Sequence, residues 1–316
     1  MSAQQLATEA GPAPADPYLR FLLEHRDRTF YLKAYPGNSG DQLIMLGTEV
    51  LLERLGVRST VNPAEADVIL IPGGNPGHWP DCGAELWRQV WRRYPDKRFA
   101  VGPAGFAGGD EWREAIRREG RRRVLALFAR DAASFAALQS AELPADVTIG
   151  LAHDPALQLR SSAWLEGHRR AAAREHVLLS FRDDRETDAA GSRMPARLPR
   201  RWRAWLERLH GRRSKSRKVA AARRLAAAGL PLVIADASKQ NFHLFVESVR
   251  DAAEVHTDRL HVMLLAAMLG KPVFAYPTAY GKLEAVYRHS LAGWAHVVFP
   301  AGGGEEGRAA RALDGA

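Results

Sequence analysis

The stretch "AEVHTDRLHVMLLAAMLGKPVFAY", residues 253–276, reads as strand, helix, strand. The runs "AEVH" (253–256) and "PVFAY" (272–276) have the length and composition of buried strands. Between them, 258–269 is long enough for a helix. It is apolar nearly all round through Val262, Met263, Leu264, Leu265, Met268 and Leu269, so most of its sides must be buried. The alternation extends in both directions. Further strands are expected at 29–35, 67–71, 98–102, 124–129, 147–150, 176–181, 231–235 and 296–299. Helices are expected at 41–55, 83–94, 110–120, 132–141, 160–175, 216–228 and 241–251. Strands of this kind alternating with helices build parallel sheets covered on both faces. Two such sets, joined near 155–175, give the expected fold class: α/β, two Rossmann-like domains with parallel sheets and an interdomain cleft. The expected domains are 18–158 and 176–300, joined by a helical connector over 159–175. Residues 1–17 and 301–316 are rich in Ala, Gly and Pro and are expected to be disordered tails.

Composition narrows the class. The 316 residues carry a formal net charge of +9, from 45 basic and 36 acidic side chains. Only seven of the basic residues are lysines. Such an arginine skew reads partly as compositional habit, and no nucleic-acid partner is expected from it. Cys82 is the one cysteine, so no internal disulfide forms, and a reducing compartment is expected. The first residues lack a signal-peptide pattern. The longest strongly apolar run, 262–270, is far short of the roughly 20 residues that span a bilayer. A soluble, cytoplasmic protein is the expectation.

The stretch 197–224, "RLPRRWRAWLERLHGRRSKSRKVAAARR", holds twelve Arg and Lys against one acid. Trp202, Trp205, Leu206 and Leu209 can line an apolar stripe on a basic helix, and such a helix can lie on an anionic membrane surface. The competing reading is a solvated arginine-rich helix whose tryptophans pack inward.

Ligands of open parallel sheets gather outside the carboxyl ends of the strands. Five strand exits carry polar residues: "PGNSGDQ" with Asn38 and Asp41, "FARDAAS" with Arg130, "FRDDRE" with Arg182, "TDRLH" with Arg259 and His261, and "PTAYGK" with Lys282. In "TDRLH", Thr257 or Asp258 is the expected N-cap. A helix N-terminus carrying Arg and His favours an anion, because free N–H groups and a bidentate guanidinium converge there. The alternative is a capped core helix whose Arg pairs with a nearby acid. "PGNSGDQ" is either a phosphate cradle or a tight turn capped by Asp41, and it matches neither G-x-G-x-x-G nor a P-loop. "IPGGNPGHW" (71–79), with Asn75 and His78, is equally open. No metal site is expected: "HTDRLH" is not a zinc spacing, and Cys82 reads as a packed thiol.

Taken together, these motifs resemble the polysaccharide pyruvyl transferase family, and most closely its exopolysaccharide-biosynthesis members. The resemblance runs from about Tyr31 to Val298 through "GNSGDQLI", "DVILIPGGN", "FARDAASF", "HDPAL" with Asp154, "FRDDRE" and "VHTDRLHVMLLAAMLGKPVFAYPTAYGKLEAVYRHSL". It implies two Rossmann-like domains arranged as in GT-B glycosyltransferases. The donor implied is phosphoenolpyruvate as co-substrate, with no cofactor. The acceptor implied is a glycan, polymeric or lipid-linked. On this resemblance Arg130, Arg259 and Lys282 bind the donor and His261 handles a proton; Asp41, or another carboxylate of the amino-terminal domain, is the candidate acceptor of the hydroxyl proton. Asn38, Asn75, Asp154 and Arg182 are further acceptor or loop candidates. Peripheral contact with the inner membrane face would fall on 197–224. The competing functions are a nucleotide-sugar-dependent glycosyltransferase of the same outline, and a basic module that binds nucleic acid or membrane.

Overall fold

The computed structural model describes residues 16–35, 37–79, 83–120, 122–183, 200–278 and 281–299, with the side chains of 200–208 excepted. Of the tail expected over 1–17, residues 1–15 lie outside that description, whereas Asp16 and Pro17 cap and open a helix because the Asp16 carboxylate accepts from the first-turn amides. The tail expected over 301–316, the thiol of Cys82 and the side chains of the stripe residues Trp202, Trp205 and Leu206 also lie outside it. The chain divides into two compact units between Leu159 and Arg160, with Asn38–Gly40 counted in the second.

The first unit is a six-stranded parallel sheet. Its strands are β1 (Thr29–Leu32), β2 (Arg58–Thr60), β3 (Val68–Ile71), β4 (Arg98–Ala104), β5 (Val124–Ala129) and β6 (Thr148–Leu151), in the spatial order β2-β1-β3-β4-β5-β6. Strand β3, "VILI", is buried at every position, because side chains alternate between two covered faces. Val68 and Leu70 join Phe30, Leu51, Leu52 and Phe128 on one face. Ile69 and Ile71 join Trp87, Trp91 and Phe99 on the other. The tryptophans come from α3 (Ala84–Arg93), where Trp87, Val90 and Trp91 recur at helical spacing and turn to the sheet. Burying each side chain of this size stabilises the unit by roughly 1.5–3 kcal/mol. The opposite face is covered by α1 (Pro17–Glu24), capped by Asp16, and by α2 (Ser39–Leu55). Helices α4 (Glu111–Ala115), which runs on into a π-helical turn over Ile116–Gly120, and α5 (Ala132–Gln139) complete the covering.

The second unit holds a five-stranded parallel sheet: β7 (His176–Ser180), β8 (Leu232–Ile234), β9 (Ala252–Thr257), β10 (Val273–Ala275) and β11 (Val297–Val298), ordered β11-β10-β9-β7-β8. Its helices are α6 (Ala163–Arg170), α7 (Arg200–Leu225), α8 (Phe242–Arg250), α9 (Leu260–Met268) and α10 (Lys282–Ser290). Apart from His261, every residue of α9 is buried. The two sheets wind identically. In each, the first strand sits between the second and the third, so neighbouring loops diverge to opposite faces and leave a crevice. That topological switch point lies between β1 and β3 in the first sheet and between β7 and β9 in the second. Both units are Rossmann-like.

Several boundaries differ from the sequence reading. β2 was not expected, because "RST" is largely exposed and carries no apolar pattern. The helix expected over 216–228 is the end of a helix that starts at Arg200, and α1 and α10 were not foreseen. Gly47, inside α2, marks a close approach: a Cβ there would stand 2.1 Å from the carbonyl oxygen of Pro155. In an open helix Gly→Ala is stabilising by about 1 kcal/mol. Here the clash reverses the sign, and G47A should lower stability by about 1–3 kcal/mol in urea denaturation; an unchanged or raised midpoint would show that the helix shifts freely.

Candidate functional site

Four adjacent strands of the second sheet deliver polar residues at their carboxyl ends. In spatial order these are Asp236 after β8, Arg182 and Asp183 after β7, Asp258, Arg259 and His261 after β9, and Lys282 after β10. The switch point is sewn together by buried hydrogen bonds. Thr257 Oγ1 donates to the carbonyl of Ser180 at 2.8 Å and accepts from the amide of Arg259 at 2.9 Å. Asp258, fully buried, accepts from the amide of Arg182 through Oδ1 at 2.8 Å and from Lys218 Nζ through Oδ2 at 2.7 Å. Lys218 Nζ also reaches the carbonyl of Pro277, at 3.0 Å. Burial pushes the Asp258 carboxyl above its ordinary range, with Lys218 and Arg182 pulling against it.

This arrangement corrects the expected helix cap. Thr257 and Asp258 spend their side chains on the switch point, and the N-cap of α9 is Arg259, extended at φ −101° and ψ 121°, with no side-chain cap. The physical reason is Asp258's burial: a carboxylate without solvent takes the strongest donor within reach, here an ammonium group, ahead of its own helix amides. The first-turn amides of α9 therefore receive no cap side chain.

Arg259 is itself almost buried and grips Asp236 by two bonds, Nε to Oδ1 at 3.0 Å and Nη2 to Oδ2. Asp236 also accepts from Ser238 Oγ at 2.9 Å and lies 3.4 Å from Lys239 Nζ, which reaches Asp183 at 2.6 Å. The Lys239 ammonium holds the Asp183 carboxyl below its ordinary range. The expected alternative, an arginine paired with an acid, is thus present at this position. Asp236 and Lys218 were both missed. Asp236 follows its strand as the other candidates follow theirs, so the strand-exit rule, applied to "PLVIAD", finds it. Lys218 carries no local signal, because only folding brings it to Asp258.

His261 stands in the first turn of α9, half-buried, with Gly40 against its ring. A Cβ on Gly40 would fall 2.3 Å from His261 Nδ1 and 2.9 Å from Asn38 Oδ1. Asn38 Oδ1 accepts from the amide of Gly40 at 2.8 Å, and Ser39 Oγ donates to the carbonyl of Gln240 at 2.5 Å. Asn38–Gly40, counted in the second unit, therefore lie beside "TDRLH", more than 200 residues away in the chain. Lys282 opens α10 behind Gly281, which takes φ +61°.

In the first unit, Arg130 leaves β5 and pairs with Asp154, Nη1 to Oδ2 at 2.8 Å, both side chains being nearly inaccessible. Asp154 Oδ1 accepts from the amide of Ala156 at 3.0 Å. Next to Arg130, Asp131 caps α5 through Ser134, whose Oγ in turn accepts from the amide of Phe106 at 2.9 Å. Asp41 sits in the first turn of α2, its carboxylate over Gly37. Asn75 follows β3 against Gly105, and its buried amide nitrogen has no partner among the described residues. Among the described residues no group of three potential metal ligands occurs.

A family model for polysaccharide pyruvyl transferases matches residues 38–280. The chain belongs to the polysaccharide pyruvyl transferase family. No curated protein matches it. Among solved structures, it is similar to a functionally uncharacterized protein of Klebsiella pneumoniae. That match has 20% identity and a TM-score of 0.56, and it covers 95% of this chain and 100% of that one. It is also similar to Anabaena HepE solved with UDP, at 14% identity and a TM-score of 0.40, covering 91% of this chain and 89% of that one. The family match spans both units, so membership implies a transferase role in polysaccharide modification. It also gives the two internal ion pairs a context: in this family member "FARDAASF" and "HDPAL" meet as Arg130–Asp154, and "VHTDRLH" is built round Asp258.

The Asp258–Lys218 pair predicts a pH-dependent stability defect. Because the folded carboxyl is raised, the native state holds its proton more tightly than the unfolded chain does. Its contribution to stability therefore declines as pH rises from the unfolded value through the raised one. Lys218→Met removes the counter-charge. It should cost about 3–5 kcal/mol at neutral pH, and less in acid where Asp258 is neutral. Urea unfolding at several pH values checks this; a deficit that does not shrink in acid would disconnect Lys218 from the carboxyl.

Proposed function

We propose that the protein transfers the pyruvyl group of phosphoenolpyruvate onto two hydroxyls of a glycan, polymeric or lipid-linked, forming a cyclic ketal and releasing phosphate. The observation that carries this reading is Arg259, held side-on by Asp236 next to His261 at a switch point, in a chain of this family. Phosphoenolpyruvate has about three negative charges, and several cationic groups are needed to hold it. Arg259, Arg182, Lys282 and the uncapped start of α9 supply positive charge at the ends of neighbouring strands. No cofactor is required.

His261 donates a proton to the methylene carbon, which becomes the methyl group, and the central carbon turns electrophilic. One hydroxyl attacks that carbon and the bond to phosphate oxygen breaks. A second hydroxyl closes the ketal. Of the two hydroxyl protons, one leaves with phosphate and the other restores His261. Arg259 and Lys282 stabilise the departing phosphate. In the first unit, Arg130 as a donor ligand rests on the family resemblance, and Asp41 or another carboxylate is the candidate acceptor of a hydroxyl proton. Arg130 keeps guanidinium donors beyond the one spent on Asp154.

Phosphate release from phosphoenolpyruvate should depend on an acceptor glycoside, with the product heavier by the ketal mass. Release of a nucleoside diphosphate from a nucleotide sugar instead would establish the glycosyltransferase reading. His261→Gln should cut turnover by roughly 10²–10⁴ and leave donor binding intact. Arg259→Ala and Arg130→Ala should weaken donor binding by calorimetry, and Asp236→Asn should weaken it through Arg259. Full turnover in His261→Gln removes the proton-donor role.

A further inference from the structure

β8 forms one edge of the second sheet, and among the described residues no strand pairs with its outer side. Its three residues, Leu232, Val233 and Ile234, are 37%, 38% and 43% exposed. Alternation along a strand sends Leu232 and Ile234 to one face and Val233 to the other. Exposure at all three therefore means that neither face is fully covered there. Only two other large hydrophobics among the described residues are exposed, Val61 and Leu244, and each stands alone in the chain. Single exposed aliphatics need no explanation, whereas a consecutive group on an edge strand does.

The neighbouring helix supplies the second half of the surface. α7 packs on the sheet through Ala222, with Val219 and Ala226 beside it, against Val177 and Leu179. From Leu209 to Leu225 it carries seven Arg and Lys and no acid. Lys218 is used internally by Asp258, but Arg212, Arg213, Arg217, Arg223 and Arg224 are exposed. At roughly 100° per residue, Arg212, Lys215 and Arg223 share one side of the helix, and Arg213, Arg217 and Arg224 another, about 120° round. A groove of about 730 Å³, lined in part by Arg212, Lys215, Val219, Arg223 and Ile234, joins the first cationic row to the aliphatic edge.

We propose that this face, α7 after Leu209 together with β8, docks on an anionic phospholipid surface. The aliphatic residues enter the headgroup boundary while the arginines engage the lipid charges. Charge complementarity selects the occupant. Two cationic rows spread round a helix beside an aliphatic edge match a continuous layer of charge better than one folded acidic ligand. A partner strand is a poor fit, because β8 is only three residues long and follows Pro231. A soluble polyanion would account for the arginines but not for Leu232, Val233 and Ile234. Among the described residues no helix is long and apolar enough to cross a membrane, so the contact is peripheral. The surface differs from the tryptophan stripe expected over 202–209, and it stands whether or not phosphoenolpyruvate is the donor.

Flotation of the full chain with phosphatidylcholine vesicles, with and without about 30 mol % phosphatidylglycerol, tests the proposal. The chain should bind at least about tenfold more to the anionic vesicles, and rising salt should weaken that binding. R212Q/R223Q should reduce binding about tenfold. L232S/I234S should also reduce vesicle binding while leaving heparin retention unchanged; each variant is read only alongside a melting temperature matching the parent's. Val233→Cys carrying an environment-sensitive dye, in a Cys82→Ser background, gives a second readout, with brightening expected only on anionic vesicles. No vesicle binding overturns the proposal. So does binding insensitive to L232S/I234S with a silent dye, which would make the face a site for soluble polyanions. Loss of self-association in L232S/I234S without an effect on vesicles would make it a protein interface, and would overturn the proposal equally.

Discussion

Asp258 has no contact with solvent, and a carboxylate in that position must find compensation or give up its charge. Lys218 provides it from the middle of a long helix, and the amide of Arg182 adds a second bond. One side chain thereby ties the exit of β7, the exit of β9 and α7 to a single point. Because the carboxylate is spent there, it cannot cap α9, whose first turn receives no cap side chain. The position of Arg259 follows. Its own amide is taken by Thr257, and its guanidinium turns toward β8, where Asp236 fixes it side-on. Without the carboxylate–ammonium pair, the exits of β7 and β9 lose their shared tie to α7.

The first unit solves a comparable problem differently. Arg130 and Asp154 leave adjacent strands and neutralise each other in a nearly inaccessible place. A pair of this sort contributes little net stability, since desolvation offsets most of the attraction, but losing one partner leaves a buried charge. It therefore constrains geometry more than it adds free energy. The Asp131–Ser134 cap alongside it fixes the loop at Phe106, so the "RDAAS" stretch acts as a joint holding the carboxyl ends of β5 and β6 and the loop after β4 in register. Arg130's surroundings are thus structural, whatever part its remaining donors take in binding.

Much of this was legible in the chain. Strands such as "VLALFA" and "DVILI" came within a residue of their observed limits, because buried parallel strands are continuously apolar and sharply bounded. The carboxyl-edge rule picks out Arg182, Arg259 and His261 from the chain alone, since parallel topology leaves few places for polar groups to gather. Exposed elements were illegible for the opposite reason. "RST" buries too little to leave a pattern, and the full length of α7 is hidden by arginines on most of its sides. Gly40 looked like a turn or cradle glycine, and its requirement is instead the His261 ring lying against it.

The sequence by itself determined the two parallel α/β units, the family and the strand exits where cations collect, because these depend on local periodicity and on motifs contiguous in the chain. Only the tertiary structure decided the partners. That Asp258 meets Lys218 forty residues away, that Arg259 is held by Asp236, that Asn38 reaches the vicinity of His261, and that Leu232–Ile234 stay uncovered are outcomes of packing. A buried charge takes the best donor that folding brings near it, and sequence adjacency carries no record of which donor that is.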